Sequence, residues 1–293
     1  MRVFIPGASG QLGRALLRSV PLGLDVHPAT REQLDISDES AVREAVASVR
    51  PDLIINAAAY TAVDKAESEP ERAAAVNAQG PRYLAQAASH IKGCRLLHIS
   101  TDYVFDGCAT EPYRPNDLPS PLGVYGHTKL LGEQGVLEIL ADRAVVLRTA
   151  WVYAAQGRNF LLTMLRLMRE RGEVRVVADQ WGTPTAATSI ARALWRLAEL
   201  PAVRGLLQWT DSGVTTWYGF ACAIAEEGAS AGLLPNRPQV IPITTAEYPT
   251  AAKRPARSVL DTRDSIAILK LQPVAWRDSL RGILGELAGP SEA

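Results

Sequence analysis

Apolar positions along the first half of the chain alternate between two rhythms. Arg2-Val3-Phe4-Ile5 is a short apolar run suited to a buried strand, and Leu12, Ala15, Leu16 and Val20 then recur at helical spacing. The alternation continues. Strands are predicted over Leu24–His27, Asp52–Asn56, Leu96–Ser100 and Ala144–Arg148. Helices are predicted over Asp38–Val49, with Ser37 as the N-cap, and over Glu69–Ile91, interrupted near Asn77 and Gly80. Strand–helix alternation of this kind implies an α/β fold, a Rossmann-type doubly wound parallel sheet with helices on both faces.

The second half is less regular. Helices are expected over Phe160–Arg171, Ala186–Leu200, Thr216–Glu227 and Trp276–Leu287, and strands over Val174–Val177, Leu206–Thr210 and Val240–Ile243. The expected organisation is a first domain over residues 1–153, to which later segments return, and a smaller C-terminal α/β lobe formed mainly by residues 154–293.

Between the first strand and the first helix lies Gly7-Ala8-Ser9-Gly10-Gln11-Leu12-Gly13. A glycine-rich turn in this context suits a dinucleotide: Gly7 for the tight turn, Gly10 for backbone approach to a diphosphate, Gly13 for helix–strand packing. The second strand runs into Pro28-Ala29-Thr30-Arg31, with no acid before Glu32. Arg31 could hold a ribose 2′-phosphate, which favours NADPH over NADH; a solvated loop charge is the plainer alternative. Asp35 lies in the next loop, where it could approach an adenine.

Tyr125-Gly126-His127-Thr128-Lys129 opens a helix after the loop Pro115–Pro121. Residues four apart share a helix face, so phenol and ammonium can enter one site. A nearby ammonium is expected to lower the Tyr125 pKa and make it a general acid for a carbonyl oxygen. Thr101, at the carboxyl end of the fourth strand, could hydrogen-bond that carbonyl, or simply cap. Taken alone, the Tyr–Lys pair would equally suit a surface Tyr packed on a Lys stem.

Composition narrows the classes. Of 293 residues, 47% are apolar and 21% charged, with 31 basic and 31 acidic side chains. That balance argues against nucleic acid or an anionic membrane as a main partner. No apolar run is long enough to span a bilayer and no signal-peptide pattern opens the chain, so a cytoplasmic protein with three free thiols is expected. Four scattered His make a metal cluster unexpected. The basic stretch Lys253-Arg254-Pro255-Ala256-Arg257-Ser258 could meet an anionic substrate head, although plain solvated charge fits its composition better.

Several runs coincide: Asn56-Ala57-Ala58-Ala59-Tyr60-Thr61-Ala62-Val63-Asp64-Lys65-Ala66-Glu67, Ser100-Thr101-Asp102-Tyr103-Val104-Phe105, Tyr125-Gly126-His127-Thr128-Lys129, Arg148-Thr149-Ala150-Trp151-Val152-Tyr153 and Asp179-Gln180-Trp181-Gly182-Thr183-Pro184-Thr185. With the glycine turn, they resemble the extended short-chain dehydrogenase/reductases, and within them the dTDP-4-dehydrorhamnose reductase family, over nearly the whole chain. The resemblance implies a cytoplasmic enzyme that reduces the C4 ketone of a dTDP-linked 6-deoxy-4-ketohexose with NADPH or NADH. It implies Tyr125 as proton donor, Lys129 on the nicotinamide ribose and Thr101 on the carbonyl. Cofactor contacts would come from Gly7, Gly10, Gln11, Leu12, Gly13, Arg31, Asp35, Ile36, Ala58, Ala59, Tyr60, Thr61 and Ile99, besides Tyr125 and Lys129. Thr101, Asp102, Trp151 and Gln180 would meet the sugar nucleotide, in a C-terminal lobe that binds substrate. No metal-binding residues are assigned, although some relatives dimerise around magnesium, so a homodimer and a magnesium ion are both open. Two other readings share the fold: a regulatory subunit like the beta subunit of methionine adenosyltransferase, and a nucleotide-sugar epimerase or dehydratase.

Overall fold

The computed structural model describes residues 1–235 and 238–289. In chain order the first half comprises β1 (Arg2–Pro6), α1 (Gln11–Arg18), β2 (Asp25–Ala29), α2 (Glu39–Val49), β3 (Leu53–Asn56), α3 (Val63–Ala66) and α4 (Pro70–Ala74). The last of these widens into a π-helical turn, Ala75–Gln79, and continues as α5 (Gly80–Ser89). Then come β4 (Arg95–Thr101), α6 (Val124–Ile139) and β5 (Ala144–Thr149). The second half holds β6 (Val152–Tyr153), α7 (Phe160–Glu170), β7 (Glu173–Val177), β8 (Trp181–Gly182), β9 (Thr185–Ala186), α8 (Ala187–Ala198), β10 (Gly205–Gln208), β11 (Thr215–Thr216), α9 (Trp217–Ser230), β12 (Gln239–Ile243), α10 (Arg263–Leu269) and α11 (Trp276–Ala288).

Six strands form one parallel sheet in the order β10-β5-β4-β3-β1-β2. Alternate residues of β3 explain its unbroken apolar run: Leu53 and Ile55 enter the core beneath α1 and α8, while Ile54 enters the core beneath α2, α5 and α6. The doubly wound architecture follows from these two cores. Although they come late in the chain, α8 and β10 belong to this layer. Arg95, at the start of β4, donates to the carbonyls of Leu197, Leu200 and Val203 and so ties the end of α8 to the sheet. A separate core around Tyr153, Leu165, Phe220 and Leu280 joins α7, α9, α11 and the β7–β12 pair into the second lobe.

One expected cap is different. Asp38, not Ser37, caps α2, its carboxylate accepting the Ala41 N–H at 3.0 Å. Ser37 is already committed: its N–H and hydroxyl both donate to Asp35 Oδ1. Among the described residues, no helix is long and apolar enough to cross a membrane.

Candidate active site

The strand order reverses between β1 and β3, the switch point where open α/β sheets bind ligands. Gly7 sits there with φ +82°, and a Cβ on it would lie 2.5 Å from the Ala58 backbone nitrogen. A Cβ on Gly13 would lie 2.3 Å from the Gly7 carbonyl oxygen. Only glycine lets the β1 turn, the end of β3 and α1 close on one another this tightly. Gly10 caps α1 without a side chain, so the first-turn N–H groups around Gln11, Leu12 and Gly13 are free to meet an anion. This donor set fits a dinucleotide diphosphate. The Gln11 side chain is engaged elsewhere, accepting from Asn159 Nδ2 at 2.8 Å and donating to the Arg158 carbonyl.

At the end of β2, Arg31 pairs with Asp35 at 3.6 Å, both side chains exposed. Ile36 is buried in the core and packs where a side chain on Gly80 would stand. Asn56 organises the loop after β3. Its amide oxygen accepts the Ala58 N–H, so its nitrogen faces His98 Nδ1 at 3.1 Å. That nitrogen can only donate, which makes His98 a neutral imidazole protonated on Nε2. Burial, followed by the charge of Lys129, holds the His98 pKa well below its usual value. Ala59 and Thr61 are exposed on this loop. Tyr60 turns inward, its hydroxyl donating to Glu69 at 2.8 Å. Asn77, in the π-turn, accepts from the Tyr60 N–H and donates to the Tyr60 carbonyl. A π-turn at such a position is a recognised functional device.

Thr101 ends β4. Its hydroxyl donates to Asp102 Oδ1 at 3.1 Å and accepts the Tyr103 N–H at 3.2 Å. The short 3₁₀ turn Asp102–Val104 follows, and the first turn of α6 presses on it. A Cβ on Gly126 would lie 2.1 Å from the Tyr103 carbonyl oxygen, and the Tyr125 ring meets Tyr103 edge-on at 5.8 Å. Lys129, 2% exposed, donates from Nζ to the Ile99 carbonyl at 2.6 Å. Thr101, Tyr125, Lys129 and Ile99 are thus brought together at the carboxyl end of β4.

The direction of the Tyr125 shift corrects the expectation. Burial pushes the phenol up to about 12, the Thr101 hydrogen bond pulls it down and Asp102 raises it. Desolvation outweighs any help from Lys129, whose ammonium points its hydrogen bond at Ile99. Burial also lowers Lys129 to about 8, against a raising effect of Glu133. Glu133 itself is locked to Arg148 by a bidentate pair at 2.6 to 3.2 Å, with side chains 2% and 1% exposed respectively. Burial raises Asp102 to about 7, with Ser258, Thr101 and backbone N–H groups pulling it down.

Just past the carboxyl end of β5, Trp151 meets the second lobe. Its backbone has φ +47°, a strained conformation for a bulky residue. Its ring lies 3.5 Å from that of Trp217, nearly parallel, and packs where a side chain on Gly182 would stand. Gln180 is buried and donates to Thr245 Oγ1 at 3.1 Å. In the basic stretch, Arg254 is not simply solvated: it forms a bidentate pair with Asp64 at 2.7 and 3.1 Å. Beside Tyr125 opens a narrow cleft lined by Val63, Glu67, Tyr103, Lys253 and Pro255, among others. No group of three or more His, Cys, Asp or Glu suited to a metal ion occurs among the described residues.

Asn77, Glu67, Gly126 and Trp217 were not singled out from sequence as site residues. The only available signals were the interruption near Asn77 and the presence of Glu67 and Gly126 within the runs quoted above.

Residues 1–288 match the family described as RmlD substrate binding domain. The chain is 42% identical over 296 aligned positions to dTDP-4-dehydrorhamnose reductase of Escherichia coli, covering 98% of both chains. It superposes on the crystal structure of a dTDP-4-dehydrorhamnose reductase from Clostridium acetobutylicum with TM-score 0.92 and 37% identity, covering 98% of this chain and 99% of that one. The Bacillus anthracis dTDP-4-dehydrorhamnose reductase in complex with NADP gives TM-score 0.90 and 36% identity, covering 97% and 99%.

Proposed function

The chain belongs to the RmlD substrate-binding-domain family, and we propose on that footing that it reduces the C4 ketone of dTDP-4-dehydro-6-deoxy-L-mannose to give dTDP-L-rhamnose. It is an NADPH- or NADH-dependent oxidoreductase acting on a dTDP-sugar, like its relatives. The observation that carries the residue assignment is the convergence of Thr101, Tyr125 and Lys129 beside the switch point.

The Gly7–Gly13 turn would hold the diphosphate of NADPH or NADH, whose reduced nicotinamide would supply the hydride for C4. The protein's own residues do the rest. Thr101 and Tyr125 hydrogen-bond the C4 oxygen and orient the ketone. Burial keeps the Tyr125 phenol protonated at neutral pH, which is the form a proton donor needs. As negative charge grows on the C4 oxygen, the phenol O–H bond breaks and the proton passes to that oxygen, completing the alcohol. Solvent then returns a proton to Tyr125. Lys129 is charged below about pH 8, and its ammonium would hold the nicotinamide ribose and favour the transient phenolate. Asp102, Trp151 and Gln180 bound the sugar-nucleotide side, residues 154–293 forming most of that lobe.

The test is direct. With dTDP-4-dehydro-6-deoxy-L-mannose present, the purified protein consumes NADPH absorbance, and NMR identifies the product as dTDP-L-rhamnose. Absence of turnover with both NADPH and NADH overturns the reading.

A further inference from the structure

The segment from Val63 to Glu67 touches the site from outside and is not used by the chemistry. Glu67 Oε1 accepts the Val124 N–H at 2.9 Å, across 57 residues of sequence. Gly123, at the N-cap of α6, has no side chain with which to cap the helix itself, and a Cβ there would lie 2.6 Å from Glu67 Oε1. Glu67 therefore does from another element what an N-cap residue does locally, and its carboxylate also suits the positive end of α6. Val124 and Tyr125 are the first two residues of that helix. The proton donor consequently rides on a turn clamped between Glu67 and, through Gly126, the Tyr103 carbonyl.

Three residues before Glu67, Asp64 receives Arg254 through both oxygens and accepts the Ala252 N–H at 3.2 Å. The Arg254 bond holds the Asp64 carboxyl below its usual range. This pair fixes the segment containing Ala252, Lys253 and Pro255, which forms another wall of the cleft beside Tyr125. Ala66, fully buried between the two acids among Tyr60 and Ala73, anchors the bracket to the first domain.

We propose that Glu67 and Asp64 are positioning residues for the reduction: Glu67 sets the Tyr125 acid, and Asp64 sets the loop wall against which the sugar nucleotide lies. The assignment rests on the reductase reading above, but its geometry can be tested without turnover. In Glu67→Ala, amide exchange at residues 123–126 accelerates about five- to tenfold, as loss of a cap requires. By the same measure kcat falls about five- to tenfold, while KM for NADPH stays within about twofold. Glu67→Gln, which keeps an acceptor oxygen, regains most of that kcat. Asp64→Ala raises KM for the dTDP-sugar about fivefold or more, with kcat within about twofold.

Unchanged exchange in Glu67→Ala overturns the cap. Equal kcat in Glu67→Ala and the parent, or equal loss in Glu67→Gln and Glu67→Ala, overturns its role for Tyr125. An unchanged sugar KM in Asp64→Ala overturns the second half. If the parent protein consumes no NADPH with the dTDP-sugar, the functional reading fails, and the exchange experiment still decides whether Glu67 holds α6.

Discussion

Lys129 gives its shortest hydrogen bond not to another side chain but to the backbone carbonyl of Ile99, 2.6 Å away at the end of β4. Helix α6 is thereby pinned to the carboxyl end of a central strand by a buried ammonium, and the charge at this point is set by how dry the pocket is. Burial brings Lys129 down to about 8. Below that pH the amine is charged and competent, and above it the charge is lost. A kcat/KM profile with an alkaline limb near pH 8 is expected. Lys129→Met should abolish that limb and lower kcat/KM by about 10²-fold or more.

Tyr125→Phe removes the transferable proton and keeps the ring edge on Tyr103. Turnover should fall by about 10²- to 10⁴-fold. Cofactor affinity, followed by fluorescence titration with NADPH, should change little, since most of the proposed nucleotide contacts lie on α1 and on the loops after β2 and β3.

Asp102 gives a stability signature. Its carboxyl has a folded value of about 7, against about 4 for an exposed Asp. A folded state that binds the proton more tightly loses stability as pH rises through the interval between those values. Asp102→Asn carries no such charge. The Tm difference, variant minus parent, should therefore increase between about pH 5 and pH 7 in a calorimetric series. A flat difference would contradict the burial of this carboxyl.

Gly126→Ala puts a methyl group against the Tyr103 carbonyl, where the ideal separation would be 2.1 Å. Backbone must move, at about 1–3 kcal/mol by analogy with overpacked cores. The shift displaces Tyr125 and Lys129 together, so kcat should drop more steeply than denaturant stability.

Arg148→Met leaves Glu133 buried without its partner and removes the donor to the Pro115 carbonyl. Breaking such a pair costs about 3–5 kcal/mol, measurable by urea unfolding. Replacing both residues by apolar ones should recover much of that loss.

Strands β1, β3, β4 and β5 were legible because each is buried on both faces and reads as a plain apolar run. The Tyr125–Lys129 pair was legible because helical spacing fixes which residues share a face. The two-residue strands β6, β8, β9 and β11 are too short to carry any period. Helix α10, with only Ser265 and Leu269 buried, carries little apolar signal. The Asp38 cap was misplaced by one residue because Ser37 and Asp38 are both good caps, and only the Ser37–Asp35 bonds decide between them. The sign of the Tyr125 shift was missed for a different reason: a charge four residues away is visible in sequence, whereas the dryness of a pocket built from several elements is not. Glu67 on Val124 and Asn77 on Tyr60 are likewise contacts between distant segments, which no local pattern encodes.

The π-turn over Ala75–Gln79 carries one residue more than an ordinary helical turn would need. Removing a single residue there would restore regular winding and leave everything beyond it at nearly the same azimuth, because the wide turn absorbs the extra residue. The buried stripe of α5, which includes Leu84, Ala85 and Ala88, would then stay on the sheet, and what would be lost is the placement of Asn77 against both backbone groups of Tyr60. Protein engineers trimming this chain should find that a one-residue deletion in that stretch spares the helix and loosens the loop after β3.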